Sequence, residues 1–153
     1  MQKVVSLAAL TLALAAGHVA AEPLTPEEQI LTRQAGYSFM SWNMGKIKAN
    51  LDGEFSPTQV SAAANAIAGI ANSGMGALYG PGTDKDIGDV KTRVKPELFT
   101  NQEKVGEVAV GFIEAANNMA EVAAMAESKE DVQEAFGKLG ESCKACHKEF
   151  RKD

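Results

Sequence analysis

The amino-acid sequence predicts an all-α protein, an antiparallel four-helix bundle, on three observations. Four helix-start patterns of the S/T-x-x-E/Q/D kind are spread along the chain, apolar residues recur at helical spacing after each, and no convincing strand pattern occurs. The composition agrees. Aromatic residues make up 6% of the 153 residues while alanine is abundant, which disfavours a β-sandwich or barrel. The length suits one domain with one core. A net charge of −5 argues against a nucleic-acid partner, because such partners are bound by basic surfaces.

Residues 1–21 read as a cleaved export signal. Lys3 supplies the positive start, and the uncharged run over residues 4–16 is too short to span a bilayer comfortably. Val19-Ala20-Ala21 places small residues where a signal peptidase reads, so cleavage is expected before Glu22, the alternative being a retained anchor. The mature domain, residues 22–153, then carries 14 basic and 20 acidic side chains and is expected in an exported compartment, clear of the membrane. His18 leaves with the signal. His147 is then the only histidine, which excludes chemistry that needs two imidazoles.

Thr25-Pro26-Glu27-Glu28 opens the first helix, with proline at the position where its missing N–H is not needed. This helix is expected over about residues 26–51, with Ile30, Tyr37, Met44 and Leu51 at seven-residue spacing and Met40 and Ile47 in the neighbouring row. Ser56-Pro57-Thr58-Gln59 repeats the device for a second helix, expected to run to about residue 78 and to bury Val60, Ala63, Ala64, Ile67 and Ile70. Thr100-Asn101-Gln102-Glu103 starts the third, with Val105, Val108, Phe112, Ala116, Met119 and Ala123 inward. Ser128-Lys129-Glu130-Asp131 starts the fourth, with Val132, Phe136, Leu139, Cys143, His147 and Phe150 inward. Short links make the first and second, and the third and fourth, antiparallel neighbours. Residues 79–99, broken by Gly80-Pro81-Gly82 and Lys95-Pro96, read as a long crossover between the second and third helices. A connection of that length is uncommon in a compact domain and often functional.

Cys143-Lys144-Ala145-Cys146-His147 is the Cys-x-x-Cys-His sequence at which c-type haem is attached, two thiols adding to the porphyrin and the histidine reaching the iron. Spacings of three and four residues project all three side chains from one helical face. That face continues the apolar row of the fourth helix, so a porphyrin held there would lie inside the bundle. A thioredoxin-like redox pair would sit after a strand, at a helix N-terminus. Here the motif lies near a helix end, where the dipole raises thiol pKa. A zinc knuckle needs a fourth ligand. A structural disulfide is the remaining alternative in an exported protein.

A bundle with this motif on its last helix resembles the cytochrome c′ family of purple bacteria. Arg33-Gln34-Ala35-Gly36-Tyr37, the stretch from Met75 to Asp84 (MGALYGPGTD) and Val90-Lys91-Thr92-Arg93-Val94-Lys95-Pro96-Glu97 are similar to the form from purple sulfur bacteria. The resemblance implies one covalent haem c per subunit, attached through Cys143 and Cys146, with His147 as axial iron ligand and the opposite face left without a protein ligand. It further implies that Arg33 and Gln34 lie against the haem and its propionate edge, that Tyr37 stands over the vacant iron position, and that Arg151 flanks the proximal imidazole. Thr92 and Arg93 are expected haem-edge contacts. The implied partners are a second copy packed through the first two helices, the small gases NO and CO, and an exported redox partner, in the periplasm. Catalysis is not expected, because no second histidine is at hand as an acid–base group.

The residues alone leave several roles open. Arg33 borders the apolar row, so it either meets a buried anion such as a propionate or snorkels to the surface. Tyr37 serves equally as core filling, its hydroxyl then needing a partner. Met40 or Met44 reaching the iron would give a low-spin His/Met electron carrier instead, although methionines on helical stripes are usually packing. Trp42 is a bundle or dimer-interface anchor.

Overall fold

The computed structural model describes residues 23–152; the export signal expected over residues 1–21 lies outside them. Four long helices make the fold: α1 (Pro26–Asp52), α2 (Pro57–Ala71), α4 (Gln102–Met125) and α5 (Lys129–Phe150). A one-turn helix, α3 (Glu97–Thr100), closes the crossover, and Met75–Leu78 forms a 3-10 turn after α2.

The helix starts follow the sequence closely, with two changes. Thr25 and Glu28 form a reciprocal capping box, Glu28 N donating to Thr25 Oγ1 at 3.3 Å and Thr25 N to Glu28 Oε2 at 2.8 Å. Asp131 accepts from the backbone N–H groups of Ser128 and Glu127 at 2.9 and 3.0 Å and so starts α5. Ser56 makes only half a box. Its hydroxyl accepts from Gln59 N at 3.4 Å, while its own N–H goes to Asn50 Oδ1 at 2.8 Å and ties the α1–α2 turn together. The cap of α4 is Asn101, whose Oδ1 accepts from Lys104 N at 3.2 Å, rather than the expected Thr100, which ends α3. Asparagine is as good a cap as threonine, and the register settles one residue later.

Helix α2 is shorter than expected. It stops at Ala71 because Asn72 Nδ2 takes the Ala68 carbonyl at 2.7 Å, Ser73 Oγ takes the Ile70 carbonyl at 2.7 Å, and Gly74 turns left-handed at φ 80°. The expected run to residue 78 holds only as the 3-10 turn.

Met40, Ile47, Ile67, Met119, Val132 and Leu139 are core residues, with the alanines of α2 and α4 letting the helices approach closely. In α1 the buried residues are Ile30, Arg33, Met40, Asn43, Ile47 and Asn50. Of the expected row Ile30–Tyr37–Met44–Leu51, Ile30 is fully buried, Met44 and Leu51 are half-buried and Tyr37 is 40% exposed. Beyond Ile30 the centre of the stripe is the neighbouring row Arg33–Met40–Ile47, which brings a cation inside. In α4, Ala116, Met119 and Ala123 are buried as expected, while Val105, Val108 and Phe112 are half-buried.

The packing is not a closed ring. Helix α1 packs on α2, α2 on α4 and α4 on α5, whereas α1 and α5 meet sparsely. The crossover bridges that seam. Lys95 N donates to the Phe150 carbonyl at 2.9 Å and Lys152 N to the Arg93 carbonyl at 2.7 Å, a short antiparallel pairing of Val94 with Arg151.

Candidate haem site

The seam gathers the expected site residues into three groups. On α1 and the crossover, Arg33 is 2% exposed and forks into the backbone: Nη1 donates to the Leu78 carbonyl at 3.0 Å, Nη2 to the Thr83 carbonyl at 2.6 Å and to Thr92 Oγ1 at 2.9 Å. Gln34, exposed, donates from Nε2 to the Lys91 carbonyl at 2.6 Å. Thr92 is buried, its N–H held by Asp86 Oδ1 at 2.9 Å. Arg33 therefore does not snorkel. Its partners are neutral oxygens, and no carboxylate among the described residues pairs with it.

The second group is a pair of phenols. The hydroxyls of Tyr37 and Tyr79 are 2.9 Å apart, and the Arg33 guanidinium lies 4.5 Å from the centroid of the Tyr79 ring. Both phenols lie within electrostatic reach of Cys146, and Tyr37 also of Cys143. Although part of Tyr37 reaches solvent, its hydroxyl end is desolvated enough to push its pKa up, and burial raises that of Tyr79 further. Tyr79 escaped the sequence reading; the breaker Gly80-Pro81-Gly82 beside it marked the turn but not its function. Gly36 admits another missed neighbour: a Cβ there would meet Met75 Sδ at 3.2 Å, so the glycine lets that thioether pack close against α1.

The third group is on α5. Cys143 and Cys146 are half-buried and not bonded to each other. Burial raises both thiol pKa values, so the expected direction holds with desolvation, not the helix dipole, as the leading cause. His147, expected on the buried row, is exposed; the inward face of α5 is buried up to Leu139 and again at Phe150, and the stretch between them carries the two cysteines and this imidazole. Arg151 Nη1 is 3.4 Å from His147 Nε2. Partial desolvation, then the charges of Arg151 and Arg93, hold the imidazole below its ordinary pKa and favour the neutral, ligating form. The crossover–tail pairing is what brings Arg93 to this end.

A family model described as Cytochrome C′ matches residues 28–151. The chain belongs to the cytochrome c′ family. The cytochrome c′ of Allochromatium vinosum is 65% identical over 142 residues, 93% of this chain and 91% of that one, and that of Rhodocyclus tenuis is 47% identical over 132 residues, 86% and 98%. Among solved structures, cytochrome c′ from Thermochromatium tepidum superposes with a TM-score of 0.83 at 61% identity, covering 86% of this chain and all of that one. A cytochrome c′ described as having an unusual ligand-controlled dimer dissociation gives 0.83 at 66% identity, covering 85% and 98%. The protein is thus a c-type haem cytochrome, and covalent haem c is its cofactor. The residues present fit that group. Two unpaired thiols and an imidazole stand on one stretch of α5, and the buried Arg33 has no carboxylate partner among the described residues.

Proposed function

We propose that the mature chain is a periplasmic cytochrome whose iron keeps one axial position free of protein ligands, binds NO and CO there, and exchanges electrons with an exported redox partner. The haem supplies an iron able to bind a diatomic and to change oxidation state. Cys143 and Cys146 would hold it covalently and His147 would be its one protein ligand. Arg33 would offer positive charge to a propionate, with Gln34, Thr92 and Arg93 along the same edge and Arg151 beside the imidazole. Tyr37 would stand over the free position and crowd out bulky or charged ligands. The observation that supports this reading is the hydrogen-bonded pair of phenols, Tyr37 and Tyr79, which joins α1 to the crossover within electrostatic reach of the cysteines. The low-spin alternative finds less support: Met40 is 6% exposed within the core and Met44 packs against the same cluster.

The same reading includes a homodimer through α1 and α2. Leu31, Phe39 and Trp42 are 48, 49 and 58% exposed along one side of α1, an apolar stripe suited to a second copy. The ligand-controlled dimer dissociation described for a relative makes linkage between ligand and dimer the natural extension. Optical spectra of the purified protein, oxidised, reduced and with CO, test the free position. A high-spin spectrum that shifts with CO is expected, and a methionine–iron charge-transfer band with no response to CO would overturn the reading. Sedimentation with and without CO tests the linkage, with a weaker dimer expected under CO.

A further inference from the structure

We propose that Tyr79 is a positioning residue for ligand entry: its hydroxyl holds Tyr37 in place, so that Tyr79, one turn beyond α2, sets how readily the ring of α1 gives way. The inference rests on the role given to Tyr37 above and adds a second residue that controls it.

Tyr37 alone is poorly fixed. It lies at the border of the core stripe with 40% of its surface exposed, and an aromatic side chain on a helix surface has two accessible χ1 wells. The contact that pins its far end is the 2.9 Å bond to Tyr79. Tyr79, by contrast, is anchored on several sides. The Arg33 guanidinium lies over its ring at 4.5 Å, and the Phe99 ring stands at 6.5 Å between centroids. The backbone on either side is tied to α1, the Leu78 carbonyl by Arg33 Nη1 at 3.0 Å and Gly80 N by Gln29 Oε1 at 2.9 Å. An anchored phenol thus holds a loose one. Either hydroxyl can donate in this bond, and burial raises the pKa of both phenols, so both remain protonated and able to make it. A ligand that displaces Tyr37 has to break this bond as well as move the ring.

Tyr79→Phe in the haem-loaded protein removes the hydroxyl and leaves the ring under Arg33 and beside Phe99. Loss of one such bond is expected to raise CO affinity and association rate by roughly three- to tenfold. Tyr37→Phe, which breaks the same bond from the other side, should do the same, and the double variant should equal either single one, because only one interaction is removed. A second readout needs no gas. Nitration of Tyr37 by tetranitromethane in ligand-free protein, located by peptide mapping, should proceed severalfold faster in Tyr79→Phe. Additive effects in the double variant, or an unchanged Tyr37 nitration rate, would overturn the proposal. Tyr37→Ala separates the two levels of the argument. Raised CO affinity in Tyr37→Ala with no change in Tyr79→Phe overturns the role of Tyr79 alone. Unchanged CO affinity in both, even with faster nitration, removes Tyr37 from ligand entry and the proposal with it.

Discussion

Arg33 ties three points of the crossover to α1, and its removal is the perturbation whose magnitude the structure defines best. Methionine in its place keeps the length of the side chain and donates nothing. The substitution strips the donor from the carbonyls of Leu78 and Thr83 and from Thr92 Oγ1; Thr83 is fully buried. The Thr92 hydroxyl can turn, so two backbone acceptors lose their partner. At about 1–3 kcal/mol for the buried Thr83 acceptor and somewhat less for the part-buried Leu78 carbonyl, the loss would be about 2–5 kcal/mol. Relief of guanidinium desolvation offsets part of it, leaving about 2–4 kcal/mol of net destabilisation for Arg33→Met. Arg33→Lys, which keeps the charge but not the fork, should fall between the two. Urea unfolding of the haem-loaded protein, followed by far-ultraviolet circular dichroism, measures the difference. A loss below about 1 kcal/mol in Arg33→Met would refute the view that this side chain holds the crossover down.

Leu139, fully buried on α5, should cost about 2–5 kcal/mol when truncated to alanine, whereas Met125→Ala, at a site 79% exposed, should stay within about 0.5 kcal/mol; thermal melts of both variants check the contrast. The phenol pair predicts a pH dependence. Because Tyr37 and Tyr79 have raised folded-state pKa values, the unfolded chain releases their protons first, so stability is complete below the ordinary tyrosine pKa of about 10 and falls as pH rises beyond it. Stability measured from pH ~9 to ~11 should therefore fall less steeply in Tyr79→Phe than in the unchanged protein, and parallel slopes would remove the desolvation argument.

What the sequence disclosed was what is local. The Thr25–Glu28 and Ser128–Asp131 starts, the alanine-rich interior of α2 and the Cys143–His147 spacing are each contained within a few residues. Where local signals competed, the outcome needed coordinates. Thr100 and Asn101 are both good caps, and the choice between them depended on where α3 ended. Asn72 and Gly74 stopped a run whose composition continued to look helical. After Ile30 the buried stripe of α1 follows Arg33, Met40 and Ile47 and leaves Tyr37 at the border, and hydrophobic periodicity does not count an arginine inward. The rest of the site is non-local. Arg33 meets Leu78, Thr83 and Thr92 across 45, 50 and 59 residues of chain, and Tyr37 meets Tyr79 across 42, separations at which no periodicity carries information. The pairing of the crossover with the chain beyond α5, which brings Arg93 toward His147, was equally invisible.

The unequal sides of the bundle have a further consequence. Three of its edges are helix-on-helix contacts, whereas along the fourth the crossover links and the covalently held haem would stand in for such packing, so breathing between α1 and α5 should be governed by the attached group while the opposite wall stays shut. Amide protons released by such excursions would map that wall as the slow-exchanging half of the molecule and the prosthetic-group side as its door.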